Sequence, residues 1–189
     1  RPPRSTLLPS TTLFRSTPNG LAVSLPAQAV SPYTAALKIT GADFKPVEFP
    51  VIIEPVRADA KGNFTLGADT AELHGDGIKQ EAQGGQPNLG FWDRAEDWAS
   101  WKVQFTKPGA YKLSATCASV HDRPEFVVEI AGKQFTGAAP RTGSWAEFRE
   151  LELGAIEIQQ PGDQIVKIRP KDAKTWKAIN LRNIKLSAQ

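Results

Sequence analysis

Methionine is absent from the 189 residues, cysteine occurs once, and no apolar run approaches the roughly 18 residues a membrane span would need. The start of the chain has no hydrophobic segment of the kind a signal peptide carries. A chain that opens Arg1-Pro2-Pro3-Arg4 and holds no initiator is expected to be a fragment of a longer protein. The lone Cys117 has no partner for an internal disulfide, and it falls at an apolar phase of a strand-like stretch, where it reads as a buried small hydrophobe rather than a reactive thiol. An excess of positive charge is missing too. The net charge of +3 is carried by Arg1, Arg4 and Arg15, and beyond residue 16 bases and acids balance. No basic stripe of the kind that holds phosphates is present, so nucleic acid is not an expected partner. His74 and His121 lack a second ligand at metal-binding spacing, which excludes a zinc site of the common types. The length itself excludes a complete (α/β)8 barrel, which needs about 250 residues.

What remains falls into three stretches. Residues 1–16 mix Pro, Ser, Thr and Arg with no sustained period and are expected to lack structure. Residues 17–57 hold short strand-like runs, LAVSL (21–25), AALKIT (35–40) and PVIIEPV (50–56), cut by prolines that forbid helix interiors. This piece has too few apolar residues for a core of its own and reads as remnant strands of an upstream sandwich followed by a linker. Asp59-Ala60-Lys61-Gly62-Asn63 then forms a turn into the next unit.

From residue 63 to 187 the pattern is regular. Trp101, Val103 and Phe105 share one face of a strand, as do Tyr111, Leu113, Ala115 and Cys117, and again Phe126, Val128 and Ile130. Pro108-Gly109 and Pro161-Gly162 fit the central positions of type II turns. The closing run 178–186 changes phase between Leu181 and Ile184, which predicts a bulge. About eight to ten short strands with frequent turns, and no helical stripe, predict an all-β antiparallel β-sandwich. Trp98 and Trp101, beside or within a strand, are expected in the core.

Taken in order, ADTAELHG (68–75), NLGFWDRAEDWASWKVQFTKPGAYKLSATCA (88–118), FVVEIAGKQFTG (126–137), TGSWAEFRELELG (142–154) and INLRNIKL (179–186) resemble a carbohydrate-binding module of the galactose-binding-like β-sandwich group that includes families 6 and 35. The resemblance implies a jelly-roll sandwich that binds a glycan without catalysis. The segment 20–41 is similar to the end of the C-terminal sandwich of a family 29 glycoside hydrolase, an α-L-fucosidase. Together the two imply the distal end of a secreted or periplasmic bacterial enzyme whose catalytic domain lies upstream. Residues 1–16 also resemble the translated read-through of a sequencing adaptor, and on that reading they are foreign to the natural chain.

In the modules resembled, the sugar lies in loops at one end of the sandwich. Carried over by position, the binding residues are Phe91 or Trp92, Trp145, and Asn180 with Trp176 near it. Phe91 and Trp92 are adjacent, so one is expected inside and the other exposed. Trp145 is either a sugar platform or a hydrophobic plug, and Trp176, flanked by Lys174 and Lys177, is either exposed for binding or partly buried with its polar edge in water. A purely structural module that packs on the catalytic domain is the alternative. The modules often hold a structural calcium near the opening Glu, here Glu72, and an acid in the last strand. Arg182 stands where that acid belongs and would repel a hard divalent ion, so no cofactor is expected and an ion pair between Arg182 and Glu72 is. The trio Asp93, Glu96 and Asp97 reads as a solvated loop whose Asp97 binds backbone, not as a catalytic carboxylate pair.

Overall fold

The computed structural model describes residues 54–189, together with the backbone of two short strands nearer the start. Those two, β1 (Phe14–Thr17) and β2 (Gly20–Val23), pair antiparallel with Phe14 opposite Val23 and Thr17 opposite Gly20. β1 takes in three residues of the stretch expected to lack structure, because a ladder partner decides strand formation where the segment's own period does not. The run 35–40 lies outside the described residues.

The second unit, Pro50–Gln189, is the sandwich. It begins earlier than the sequence boundary at residue 63. Val56 bridges Val103 in parallel, donating its N–H to the Lys102 carbonyl at 2.8 Å and accepting from the Gln104 N–H at 3.0 Å. The turn that follows forms as its residues dictate. Asp59 Oδ1 accepts the N–H groups of Lys61 and Asn63 at 2.8 and 2.9 Å, and those bonds, that of Asn63 foremost, hold its carboxyl below the usual range.

Eleven strands then follow, with a single 3₁₀ turn, Ala68–Thr70, between the first two of them: β3 (Phe64–Gly67), β4 (Glu72–His74), β5 (Lys79–Gln83), β6 (Gln86–Gly90), β7 (Trp98–Phe105), β8 (Gly109–Ala118), β9 (Glu125–Ile130), β10 (Lys133–Ala138), β11 (Arg149–Ile158), β12 (Gly162–Pro170) and β13 (Asn180–Ala188). One sheet has the order β10-β9-β12-β7-β4; the other has β11-β8-β13-β6-β5, with β3 also paired to β13. Every pairing between these strands is antiparallel. Among the described residues no helix is long and apolar enough to cross a membrane.

The period-2 faces meet between the sheets. Trp101, Val103 and Phe105 of β7, Leu113, Ala115 and Cys117 of β8, Phe126, Val128 and Ile130 of β9, and Ile184 and Leu186 of β13 are all buried. Phe64, Phe105 and Tyr111 pack ring against ring, with centroids 4.7 to 5.8 Å apart. Burial pushes the Cys117 thiol up to about 12, as expected of a packing residue. The predicted phase change is a bulge in β13, where the register shifts between Leu181 and Asn183 and leaves Arg182 out of step.

Two local expectations are corrected. Gly109 adopts no positive φ and is the first residue of β8, and Gly162 sits at φ 139°, well beyond the roughly 80° of a type II turn. Both residues are recruited into strands, which overrides the turn preference of Pro-Gly. Trp98 is half-buried rather than core. It shares its phase with Ser100, Lys102 and Gln104, opposite the inward Trp101. His74 stacks on its ring at 3.5 Å between centroids, and Lys167 Nζ lies 3.9 Å from the ring centre.

Candidate functional site

One rim of the sandwich gathers β5, the loop from β6 to β7, the loop from β10 to β11 and the start of β13. They enclose an open cleft of about 330 Å3 lined by Glu81, Gln83, Phe91, Asp93, Trp145, Ala178 and Asn180.

Phe91 and Trp92, just past the end of β6, divide between outside and inside. Phe91 is 59% exposed on the cleft, whereas Trp92 is fully buried. The division is sharpened by Phe91 φ at 53°, a left-handed conformation costing roughly 1–2 kcal/mol in a residue with a Cβ. The reversal turns Phe91 outward just as Trp92 turns in. Trp92 then anchors the loop: its Nε1–H donates to the Asp97 carbonyl at 3.0 Å, and its own carbonyl accepts the Trp176 Nε1–H at 2.9 Å.

Trp176 is therefore corrected as a site residue. It is only 7% exposed, its ring centroid 5.3 Å from that of Trp92, and it lies beneath the site instead of on it. The flanking lysines point to a wet setting, but a ring and an N–H that both find partners inside outweigh them. Trp92, likewise, is a support.

Trp145 is half-buried, lines the cleft, and has the ring of His121 edge-on at 5.8 Å. Its loop is tied down through Ser119. The Thr142 N–H donates to the Ser119 carbonyl at 2.8 Å, the Ser119 N–H to Thr142 Oγ1 at 3.2 Å, and the Ser119 hydroxyl to the Ala178 carbonyl at 3.1 Å. One serine thus joins the loop bearing Trp145 to the segment before β13.

Asn180 sits at the centre. Its Nδ2 donates to the Trp145 carbonyl and to Glu81 Oε1, each at 3.0 Å. Glu81 Oε1 also accepts from Asn88 Nδ2 at 3.0 Å, while its second oxygen has only Gln83 Nε2 at 3.4 Å. Gly90 makes room for this cluster: a Cβ there would collide with Glu81 Oε1 and lie 3.0 Å from Asn180 Oδ1. Two amides thus fix one oxygen of a carboxylate and leave the other with acceptor capacity toward the cleft. Asp93 joins it from the loop, exposed. Glu81 and Gln83 were not singled out from the sequence. KQEAQ is polar at every position and gives no period, so the one available signal is Glu81 in a strand that pairs with the Gly-aromatic motif, Gln80 opposite Leu89.

The other acids are accounted for. Asp97 is fully buried and its Oδ2 accepts the N–H groups of Gly77 and Ile78 at 2.9 Å, the backbone-binding role expected of it. Glu96 pairs with Arg94 at 2.7 Å, and a backbone N–H first and Arg94 second hold its carboxyl below the usual range. The predicted pair of Glu72 and Arg182 does not form. They belong to different sheets; Glu72 lies 3.9 Å from His74, while Arg182 donates to Gln86 Oε1 and the Gln83 carbonyl and stacks over Phe148. The bulge turns Arg182 toward the β5–β6 hairpin, away from β4. Among the described residues no group of three or more His, Cys, Asp or Glu side chains is placed to hold a metal ion.

No family model matches the chain, and no curated protein matches it. Solved structures do. The C-terminal family 6 carbohydrate-binding module of the laminarinase LamC from Zobellia galactanivorans has 17% identity over 66% of this chain and 98% of its own, with a TM-score of 0.53. A family 6 module of Cellvibrio mixtus lichenase 5A, solved with cellotriose, has 24% identity over 66% and 96%, also at 0.53. A family 35 module from Clostridium thermocellum has 16% identity over 67% and 98%, again at 0.53. The sandwich of this chain thus has the jelly-roll fold of family 6 and family 35 carbohydrate-binding modules.

Proposed function

We propose that the chain binds carbohydrate without chemically altering it, in the cleft between Phe91 and Trp145. The observation that carries this reading is the pairing, in one rim cleft, of two accessible aromatic rings with a cluster of oriented polar groups, Glu81 and Asn180 foremost. A pyranose presents C–H patches to a ring face and hydroxyls at its edge. Stacking removes apolar area from water at about 25 cal/mol per Å2, and oriented polar groups select the hydroxyl pattern. An open cleft of this size suits one or two sugar units, with Kd of about 10 µM to 1 mM.

Tethered to a hydrolase, such a module raises the local concentration of enzyme on its glycan. The resemblance of segment 20–41 supports an α-L-fucosidase, acting outside the cytoplasm, as that enzyme. The alternative, a module that only docks on a catalytic domain, calls for a contiguous apolar patch. Among the described residues the exposed large hydrophobics are Phe91, in the cleft, and Ile165, on β12 of the other sheet, which favours the binding reading.

The test is titration of the chain with a glycan panel containing fucosylated, galactosylated, glucosylated and uronic-acid oligosaccharides, with Trp145→Ala as control. Binding to one class, lost in the variant, is expected. Binding that persists unchanged in Trp145→Ala, or none to any glycan, overturns the reading.

A further inference from the structure

Among the described residues the proposed cleft is lined by two acids and no base. Glu81 and Asp93 line it, and the other residues around it are neutral. Of the bases near it, His121 lies edge-on to Trp145 at 5.8 Å between ring centroids and Arg141 is exposed on the same loop as Trp145, but neither lines the cleft, and the others are engaged or stand outside the lining. Arg94, next to Asp93, binds Glu96 at 2.7 Å and Asp76 at 3.5 Å. Arg182, two residues from Asn180, is held by Gln86 and the Gln83 carbonyl over Phe148. Lys79, at the other end of β5, and Lys177, beside Ala178, are exposed and do not line the cleft. Glu81 is no free surface acid whose charge rotates into solvent: two amide N–H groups pin one oxygen, so the carboxylate stays where a bound sugar would meet it.

Resting on the reading that this cleft binds sugar, we propose that it sorts glycans by charge, taking an amino sugar in its ammonium form over the neutral sugar, and the neutral sugar over the uronate. Glu81 and Asp93 are the groups that set the order. A carboxylate is acceptor only, so it welcomes hydroxyl and ammonium donors alike, but it attracts the ammonium further and repels a second carboxylate. The rings of Phe91 and Trp145 act in the same direction, since an aromatic face favours a cation. Among the described residues no positively charged donor lines the cleft to hold a uronate carboxylate, which would have to shed water without compensation. Because the cleft is open, each step of the order is worth about fivefold in Kd at low salt, and salt compresses it.

The experiment uses the chain and three methyl glycosides that differ in one substituent: glucoside, 2-amino-2-deoxyglucoside and glucuronide, with the galacto series in parallel because the cleft's stereochemical preference is open. Titrations followed by NMR at pH 6.5 in 20 mM and 300 mM salt are run on the wild type, Trp145→Ala, Glu81→Gln and Asp93→Asn. Expected is the order amine, neutral, uronate, with all binding weakened in Trp145→Ala and the spread between amine and uronate reduced in each carboxylate variant. Asp93→Asn changes an exposed loop residue and keeps the test sound if Glu81→Gln disturbs the Asn88 and Asn180 bonds. Uronate binding as tight as the neutral sugar, and still lost in Trp145→Ala, overturns the charge order while leaving glycan binding intact. Amine binding indifferent to Trp145→Ala is attraction to the surface at large and overturns it as well. If none of these sugars binds, the charge order is overturned, and the binding reading falls with it only if the oligosaccharide panel also fails to bind.

Discussion

Two tryptophans that look alike in the sequence are given opposite tasks by the fold, and truncating each in turn separates them. Trp176 is 7% exposed, packs on Trp92 and donates its N–H to the Trp92 carbonyl. Removing such a ring leaves a cavity and an unpaired buried carbonyl, so Trp176→Ala is expected to cost about 3–5 kcal/mol. With a urea m-value of about 1–3 kcal/mol per M, the unfolding midpoint falls by roughly 2 M. Trp145, half-buried at the rim, leaves little cavity behind, and Trp145→Ala is expected to cost at most about 1.5 kcal/mol while weakening glycan binding at least tenfold, about 1.4 kcal/mol. All five tryptophans lie in the Pro50–Gln189 unit, so their fluorescence during urea unfolding reports on the sandwich alone. Trp176→Phe adds a graded point: it keeps most of the packing and drops the N–H, for about 1–3 kcal/mol. A Trp176→Ala protein as stable as the wild type would refute the assignment of that ring to the support layer. A Trp145→Ala protein as damaged as Trp176→Ala, with binding retained, would make Trp145 a plug.

Gly90→Ala places a methyl where the Glu81 carboxylate sits; calorimetric titration is expected to show at least fivefold weaker binding at a stability cost of only about 1–2 kcal/mol, and unaltered binding would mean Glu81 does not orient the sugar. Cys117, its thiol pushed up to about 12, is expected to resist iodoacetamide in the folded protein at pH 8.5 and to react in denaturant. The sign for stability follows: the raised thiol contributes nothing unfavourable below its unfolded value and destabilises as pH climbs from there toward 12, a loss Cys117→Ala should abolish in alkaline melts. Asp163 has the opposite sign. Lys102, 2.7 Å away, holds its carboxyl below the usual range, so its contribution is present at neutral pH and disappears as pH falls through the aspartate range. Acid melts of Asp163→Asn should therefore be flatter than those of the wild type, and parallel curves would refute the coupling.

The sandwich was legible because its evidence is periodic. Alternation over β7, β8 and β9 names the inward residues one by one, and a one-residue slip would have put Trp101 and Leu113 in water. Even the bulge in β13 shows in the sequence as a broken phase. Trp98 was misread because its identity, a large aromatic, was weighed above its parity. Val56 joins β7 through a single parallel bridge, a contact that leaves no period in the sequence. The lining of the candidate cleft was half legible. Phe91, Trp145 and Asn180 came from motifs, but Glu81 and Gln83 lie on β5, whose polar run carries no pattern, and they enter the cleft only because β5 pairs with β6.

Arg182 shows why a motif position transfers less well than a core position. An inward residue in a strand has one environment, set by alternation, and its character follows from its parity. A residue at a bulge has no such constraint, because the extra residue rotates the chain and aims the side chain by local geometry. Arg182 sits at the register shift of β13, and its guanidinium reaches the hairpin of β5 and β6, where it binds Gln86 and the Gln83 carbonyl, while it also lies over the face of Phe148 just before β11. That contact braces the strand carrying Glu81 and Gln83 from behind. An arginine that breaks an expected pairing with Glu72 thereby becomes a support for the cleft, and truncating it should loosen the hairpin before it touches the core. Arg182→Ala is thus expected to raise amide hydrogen exchange in Lys79–Gln83 and weaken sugar binding, while protection in Gly109–Ala118 stays as in the wild type. Equal loss of protection in both strands would show that Arg182 serves the sandwich as a whole and not the site.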